Sequence, residues 1–208
     1  MRPMGTPISW LLFDADGVLQ RSPDGWRRTL DGLLGDDPDS TLAELFTLEQ
    51  EQSLTGRDFR ELVVSVLRRR GVSADPERVL DCWRLLEVDT SMIGRIRQLR
   101  RGGIRCGLAT NQQNVRIEHM RSMPEYAGLF DAKFYSAELG LAKPDPAYFA
   151  AIVRQLSVAP EDVLFVDDKE DNVLGARAAG LRAEVFAVNG GAAELDRILT
   201  RYDVAIPA

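Results

Sequence analysis

The sequence predicts an α/β protein: an open parallel sheet with helices on both faces, and a small helical domain inserted after the first strand. Three observations carry this. Four short runs, at 8–13, 104–109, 163–166 and 183–188, are apolar throughout rather than alternating, with a weaker one at 132–136. Strands covered on both faces read that way. From residue 91 onward the runs take turns with helix-length segments, the rhythm of successive βαβ units. Residues 14–90, by contrast, hold helical periodicity and no convincing strand.

Taken in order, "ISWLLF" (8–13) is the first strand and ends at "DADGV" (14–18). Then come "WRRTLDGLLG" (26–35), "STLAELFTLEQEQ" (40–52), "GRDFRELVVSVLRRRG" (56–71) and "DPERVLDCWRLLE" (75–87). Each repeats apolar residues at three- and four-residue spacing and is bounded by Gly, Pro, Asp or Ser, which predicts a helical bundle. Beyond it, helices are expected over 91–101, 112–122, 145–156 and 170–179, with Asp145-Pro146 as a start signal and Gly180 as a stop. Residues 1–20 and 90–208 are therefore assigned to the α/β core, and 21–89 to the inserted helical domain. Ligands of open α/β sheets bind at the carboxyl ends of the strands, so an insertion there would overhang the site.

Composition narrows the function classes. A net charge of −6 argues against a nucleic-acid surface. The basic runs at 68–70 and 97–101 close predicted helices, where they suit the helix dipole. Cys82 and Cys106 have no CxxC spacing, and the apolar runs are strand-length rather than membrane-length. The expectation is a cytoplasmic protein, monomer or homodimer, with a small-molecule substrate and no nucleic-acid or membrane partner.

The residues that follow each strand carry the chemistry. Asp14 and Asp16 follow the first, Thr110 and Asn111 the second, and Asp167 and Asp168 the fourth, with Asp171 and Asn172 just beyond. Lys143 precedes a helix start in "LGLAKPDPAYF" (139–149). Clustered carboxylates repel unless a cation neutralises them, and an all-oxygen ligand set suits a hard ion such as Mg²⁺. A carboxylate can attack phosphorus, provided positive charge surrounds the transferring group and a second acid handles the leaving-group proton. Two Asp residues with one spacer supply nucleophile and acid/base from one segment.

With "DADGV" (14–18), "ATN" (109–111), "AKPDPAYF" (142–149) and "FVDDKEDNVLGARAAG" (165–180), the chain resembles the haloacid dehalogenase superfamily of phosphohydrolases. The resemblance runs over nearly the whole chain. It implies a Rossmann-like core with a C1-type helical cap, Asp14 as nucleophile and Asp16 as general acid/base. It further implies Mg²⁺ held by the Asp14 carboxylate, the Asp16 backbone carbonyl and Asp168, with Asp167 and Asn172 supporting that shell. Thr110, Asn111 and Lys143 would bind the phosphoryl group. In the cap, "SLTGRDF" (53–59) would form the substrate-discriminating turn, with Arg57 meeting a second anionic group. Dehalogenating members lack the second Asp, so Asp16 favours a phosphate ester. The expected function is a Mg²⁺-dependent phosphatase acting on a small phosphorylated metabolite through an aspartyl-phosphate. A phosphosugar mutase on the same scaffold stays open. A non-enzymatic phospho-accepting regulatory domain is the other alternative, though in receiver domains the acidic pair comes first. His119, on a predicted helix away from any strand end, is expected to pack rather than react.

Overall fold

The computed structural model describes residues 7–52 and 54–206. Five parallel strands form one sheet: β1 (Trp10–Phe13), β4 (Arg105–Thr110), β5 (Ala132–Tyr135), β6 (Val163–Asp167) and β7 (Arg182–Val185), in the order β5-β4-β1-β6-β7. The apolar runs are continuous because both faces are covered, and successive residues alternate between two cores. Leu11 and Phe13 pack with Ile96 and Leu99 of α5 (Thr90–Arg101), Ile117 and Met120 of α6 (Asn114–Ser122), and Ile198 of α10 (Gly191–Arg201). Trp10 and Leu12 point the other way, onto Phe149 and Ile152 of α8 (Pro146–Leu156) and Val173 and Ala176 of α9 (Glu170–Ala178).

The inserted domain consists of α1 (Trp26–Leu33), α2 (Pro38–Gln52), α3 (Phe59–Arg69) and α4 (Pro76–Arg84). Its own core gathers Leu30, Leu45, Phe59, Val63, Val66, Leu80 and Trp83, all nearly fully buried. Val115 of α6 enters that core from below, so the cap rests on α6.

Three features depart from the sequence expectation. The connections into and out of the cap pair as a short antiparallel ribbon, β2 (Gln20–Arg21) with β3 (Glu87–Val88). Two residues on each side are too few to leave a periodic signal. The strand expected over 183–188 stops at Val185, although the Phe186 N–H still donates to the Asp167 carbonyl at 2.8 Å. α10 was not anticipated at all. Its apolar residues Leu195, Ile198 and Leu199 nonetheless keep helical spacing. Among the described residues no helix is long and apolar enough to cross a membrane.

Candidate active site

Strand register assembles the site. Phe13 pairs with Leu108 on one side and Val166 on the other, so Asp14, Thr110 and Asp167 reach the same edge of the sheet. The Asp14 N–H donates to the Val166 carbonyl at 2.9 Å, which carries the strand geometry one residue further. The chain then turns sharply, with the N–H groups of Val18, Leu19 and Gln20 converging on the Ala15 carbonyl. Gly17 makes the turn possible in two ways. Its φ is +83°, and a Cβ there would lie 2.5 Å from Asp168 Oδ2.

Lys143 is the centre of charge. Its Nζ lies 2.7 Å from Asp14 Oδ1 and 2.6 Å from Asp167 Oδ2, all three side chains being buried. Burial alone would lower its amine, but Asp14 and Asp167 outweigh this and hold it above the usual lysine value. The backbone of Lys143 is clamped by Asn111, whose Oδ1 accepts from Lys143 N at 3.0 Å and whose Nδ2 donates to Lys143 O at 2.9 Å. The Asn111 side chain is thus occupied in positioning the lysine. Thr110 is buried beside it, its Oγ1 3.4 Å from Gln112 Nε2.

The acidic pair divides its labour. Asp167 Oδ1 accepts from the Lys169 N–H at 2.8 Å, and Asn172 Nδ2 lies 3.0 Å from both Asp167 oxygens. Asp167 is spent on holding Lys143 and the start of α9, and Asn172 on holding Asp167. Gly175, one turn further, lets α9 approach closely, since a Cβ there would clash with the Pro144 carbonyl. Asp168 Oδ1, in contrast, is buried with no hydrogen-bond partner among the described residues. Burial, with Asp167 next to it, pushes the Asp168 carboxyl up. Carboxylate oxygens of Asp14, Asp167 and Asp168 lie within 4.8 Å of one another. One ammonium does not balance three acids. An orphaned carboxylate oxygen in an all-oxygen cluster fits a hard divalent cation such as Mg²⁺.

The Asp16 carboxylate points away from that cluster. Arg116 Nη2 donates to its Oδ1 at 2.5 Å, Gln112 Nε2 to Oδ2 at 2.7 Å, and Gln20 Nε2 to Oδ1 at 3.2 Å. Tyr126 donates its hydroxyl to Gln20 Oε1 at 2.7 Å and so orients that amide. If Asp16 contributes to a metal site, it does so through its backbone rather than this carboxylate. Sequence reasoning missed Arg116, Gln112 and Gln20. Arg116 reads as one more polar residue on a helix, and nothing in its spacing links it to a residue 100 positions earlier.

Above these residues lies a cavity of about 980 Å³, open between core and cap. Asp16, Lys143, Asn172 and Arg116 line it from the core, and Phe46, Glu49, Gln50 and Leu54 from the cap. Ser53, the first residue of the turn expected to discriminate substrates, lies outside the described residues. Leu54 of that turn reaches the cavity, whereas Arg57 is exposed and lies outside its lining. His119 also lies outside it. Asp171 sits in the first turn of α9, where a negative charge suits the helix dipole, and Lys169 occupies the N-cap position. Cys106 is deep in β4, and burial pushes its thiol up to about 12, so it stays protonated at neutral pH.

Comparison with known proteins places this geometry. Residues 8–180 match the haloacid dehalogenase-like hydrolase family. The chain is 30% identical over 188 residues to a phosphoglycolate phosphatase of Cereibacter sphaeroides, covering 85% of this chain and 84% of that one. It is 32% identical over 96 residues to the sesquiterpene phosphatase astK of Aspergillus oryzae, covering 46% of this chain and 49% of the relative. Of a longer Aspergillus calidoustus relative it spans only 20%. Among solved structures, a HAD family enzyme from Bacteroides thetaiotaomicron in its magnesium complex superposes with a TM-score of 0.78 at 19% identity, covering 92% of this chain and 100% of that one.

Proposed function

Since the chain belongs to the haloacid dehalogenase-like hydrolases, we propose that it is a Mg²⁺-dependent phosphatase that hydrolyses a small phosphorylated metabolite through an aspartyl-phosphate. The observation that carries the reading is the excess of acid over base around Lys143, which lines the cavity. Asp14, Asp167 and Asp168 share one ammonium, Lys143, so a cation belongs there and a phosphoryl group can be drawn in after it. The phosphatase names of the relatives and the magnesium of the structural neighbour support the same reading. Asp14, Asp168 and the Asp16 carbonyl would hold the ion, which when bound neutralises charge on the transferring group.

The chain's own residues supply the rest. An Asp14 carboxylate oxygen attacks phosphorus as the ester P–O bond breaks on the opposite side. Asp16, at the cavity wall, gives the departing alkoxide a proton once its carboxylate has turned from Arg116 and Gln112 toward the site and taken up that proton from solvent. It then takes a proton from the water that attacks phosphorus, and the bond to Asp14 breaks to release inorganic phosphate. Lys143 keeps Asp14 oriented and faces the incoming negative charge, and Thr110, which ends β4, and Asn111, which follows it, would donate to phosphoryl oxygens. Release of phosphate from p-nitrophenyl phosphate in Mg²⁺, abolished by Asp14→Asn, is the test. Turnover that survives Asp14→Asn would refute the covalent step, and isomerised sugar phosphate without free phosphate would point to a mutase.

A further inference from the structure

The phosphoryl end of the cavity is built by the core, and the other end by the cap. Helical spacing puts Phe46, Glu49 and Gln50 of α2 on one face, and that face, with Leu54, forms the cap's wall of the cavity. Leu42 and Leu45 of the same helix are buried in the cap, whereas Phe46 is 39% exposed and Leu54 45% exposed. Large apolar side chains left uncovered in a concave site mark a surface that a ligand is meant to cover. Phe46 is also backed by aromatic rings, stacked on Trp26 at 6.4 Å and edge-on to Trp83 at 6.1 Å.

The charged group on this wall is an acceptor, Glu49, beside the Gln50 amide. Trp83 Nε1 donates to Glu49 Oε1 at 3.1 Å and fixes that carboxylate against the aromatic cluster. Among the described residues lining the cavity, the cap contributes no cation. Of the basic residues on the core side, Lys143 serves the nucleophile, Arg116 is committed to Asp16, and Lys169 is exposed beside Glu170 and Asp171. A carboxylate or second phosphate carried to the cap wall would face Glu49 and hydrocarbon, with the Gln50 amide as a donor there and no cation supplied by the cap lining.

Resting on the phosphatase reading, we propose that the substrate is the phosphate monoester of an uncharged alcohol. Its apolar frame lies on Phe46 and Leu54, and a hydroxyl or other donor, where present, is accepted by Glu49. Phe46 and Leu54 are then specificity residues, and Glu49 excludes anionic leaving groups.

The test compares kcat/KM of the full-length enzyme in Mg²⁺ for geranyl monophosphate, methyl phosphate and phosphoglycolate, with p-nitrophenyl phosphate as reference. The expected order is geranyl monophosphate above methyl phosphate above phosphoglycolate. Phe46→Ala should cut the geranyl-to-methyl ratio about tenfold, as loss of apolar contact does in other pockets. Glu49→Gln should raise phosphoglycolate relative to methyl phosphate. Calorimetric titration of the Asp14→Asn protein with geranyl monophosphate and phosphoglycolate gives the same comparison without turnover. Phosphoglycolate preferred in both assays, or ratios unmoved by Phe46→Ala and Glu49→Gln, would overturn the proposal and leave the phosphatase reading intact. Failure to hydrolyse any ester, p-nitrophenyl phosphate included, would overturn both.

Discussion

Burial pushes the Asp14 carboxyl up to about 6, with Lys143 pulling it down and Asp167 adding to the rise. The sign of the consequence is fixed by the unfolded value of 3.8. Between those values the folded, metal-free protein binds the extra proton, so its stability falls as pH rises from about 3.8 to about 6 and does not recover above. Asp14→Asn removes that penalty. In EDTA the variant should melt above the wild type at pH 7.5, and the gap should close towards pH 4, as read by scanning calorimetry. A gap that persists at pH 4 would assign the gain to something other than charge. The same substitution should lower turnover by about 10⁴-fold or more. Because only the ionised carboxylate ligates a cation, added Mg²⁺ should move the acidic limb of the pH–rate profile to lower pH. Gly17→Ala meets both a left-handed φ and the Asp168 carboxylate. The backbone strain alone is worth about 1–2 kcal/mol. We expect a lower melting temperature together with weaker Mg²⁺ binding, measured by thermal shift against Mg²⁺ concentration.

At the scale of elements, α6 is where cap and core meet. Asn114 at its start accepts the Phe59 N–H at 2.9 Å and donates to Asp58 at 2.8 Å. Asp58 in turn caps α3, accepting the Arg60 N–H at 2.9 Å. Arg60 reaches back to Glu118 of α6 at 2.5 Å. Asn114→Ala removes two bonds across the cleft, each worth about 0.5–1.5 kcal/mol net. It should increase proteolytic cutting within the cap and lower kcat/KM, while Asp58→Ala adds the loss of a helix cap, about 1 kcal/mol. Unchanged proteolysis in Asn114→Ala would show that the cleft is held shut elsewhere. None of this was readable from the sequence, which places the helix over 112–122 but does not show what its first residues meet in the cap. The N-cap of α6 is the Gln113 side chain, which accepts from Val115 N and Arg116 N. Element existence was legible because apolar runs and helical spacing are local properties. The β2–β3 ribbon and the Asp16–Arg116 pair were not, because they depend on what the fold brings together.

For the whole molecule, cation binding and folding are linked. A ligand present at a hundred times its dissociation constant stabilises by about 2.7 kcal/mol, so Mg²⁺ should raise the melting temperature and EDTA should reverse the rise. Asp14→Asn should flatten that response. The sheet, its strand ends and the site acids were foreseeable for one reason: residues at the carboxyl ends of parallel strands meet whatever else the chain does. The cavity's far wall was not, because the choice of Phe46 and Glu49 over Arg57 depends on how four short helices happen to pack. The β2–β3 ribbon makes that division physical. With Gln20 opposite Val88, the chain leaves the core and returns to it at almost the same point. Everything between behaves as a cassette, whose length and sequence can drift without changing the loop the core must close. A change in the cap's wall can therefore alter what the enzyme accepts while Asp14, Lys143 and Asp167 stay where the core holds them.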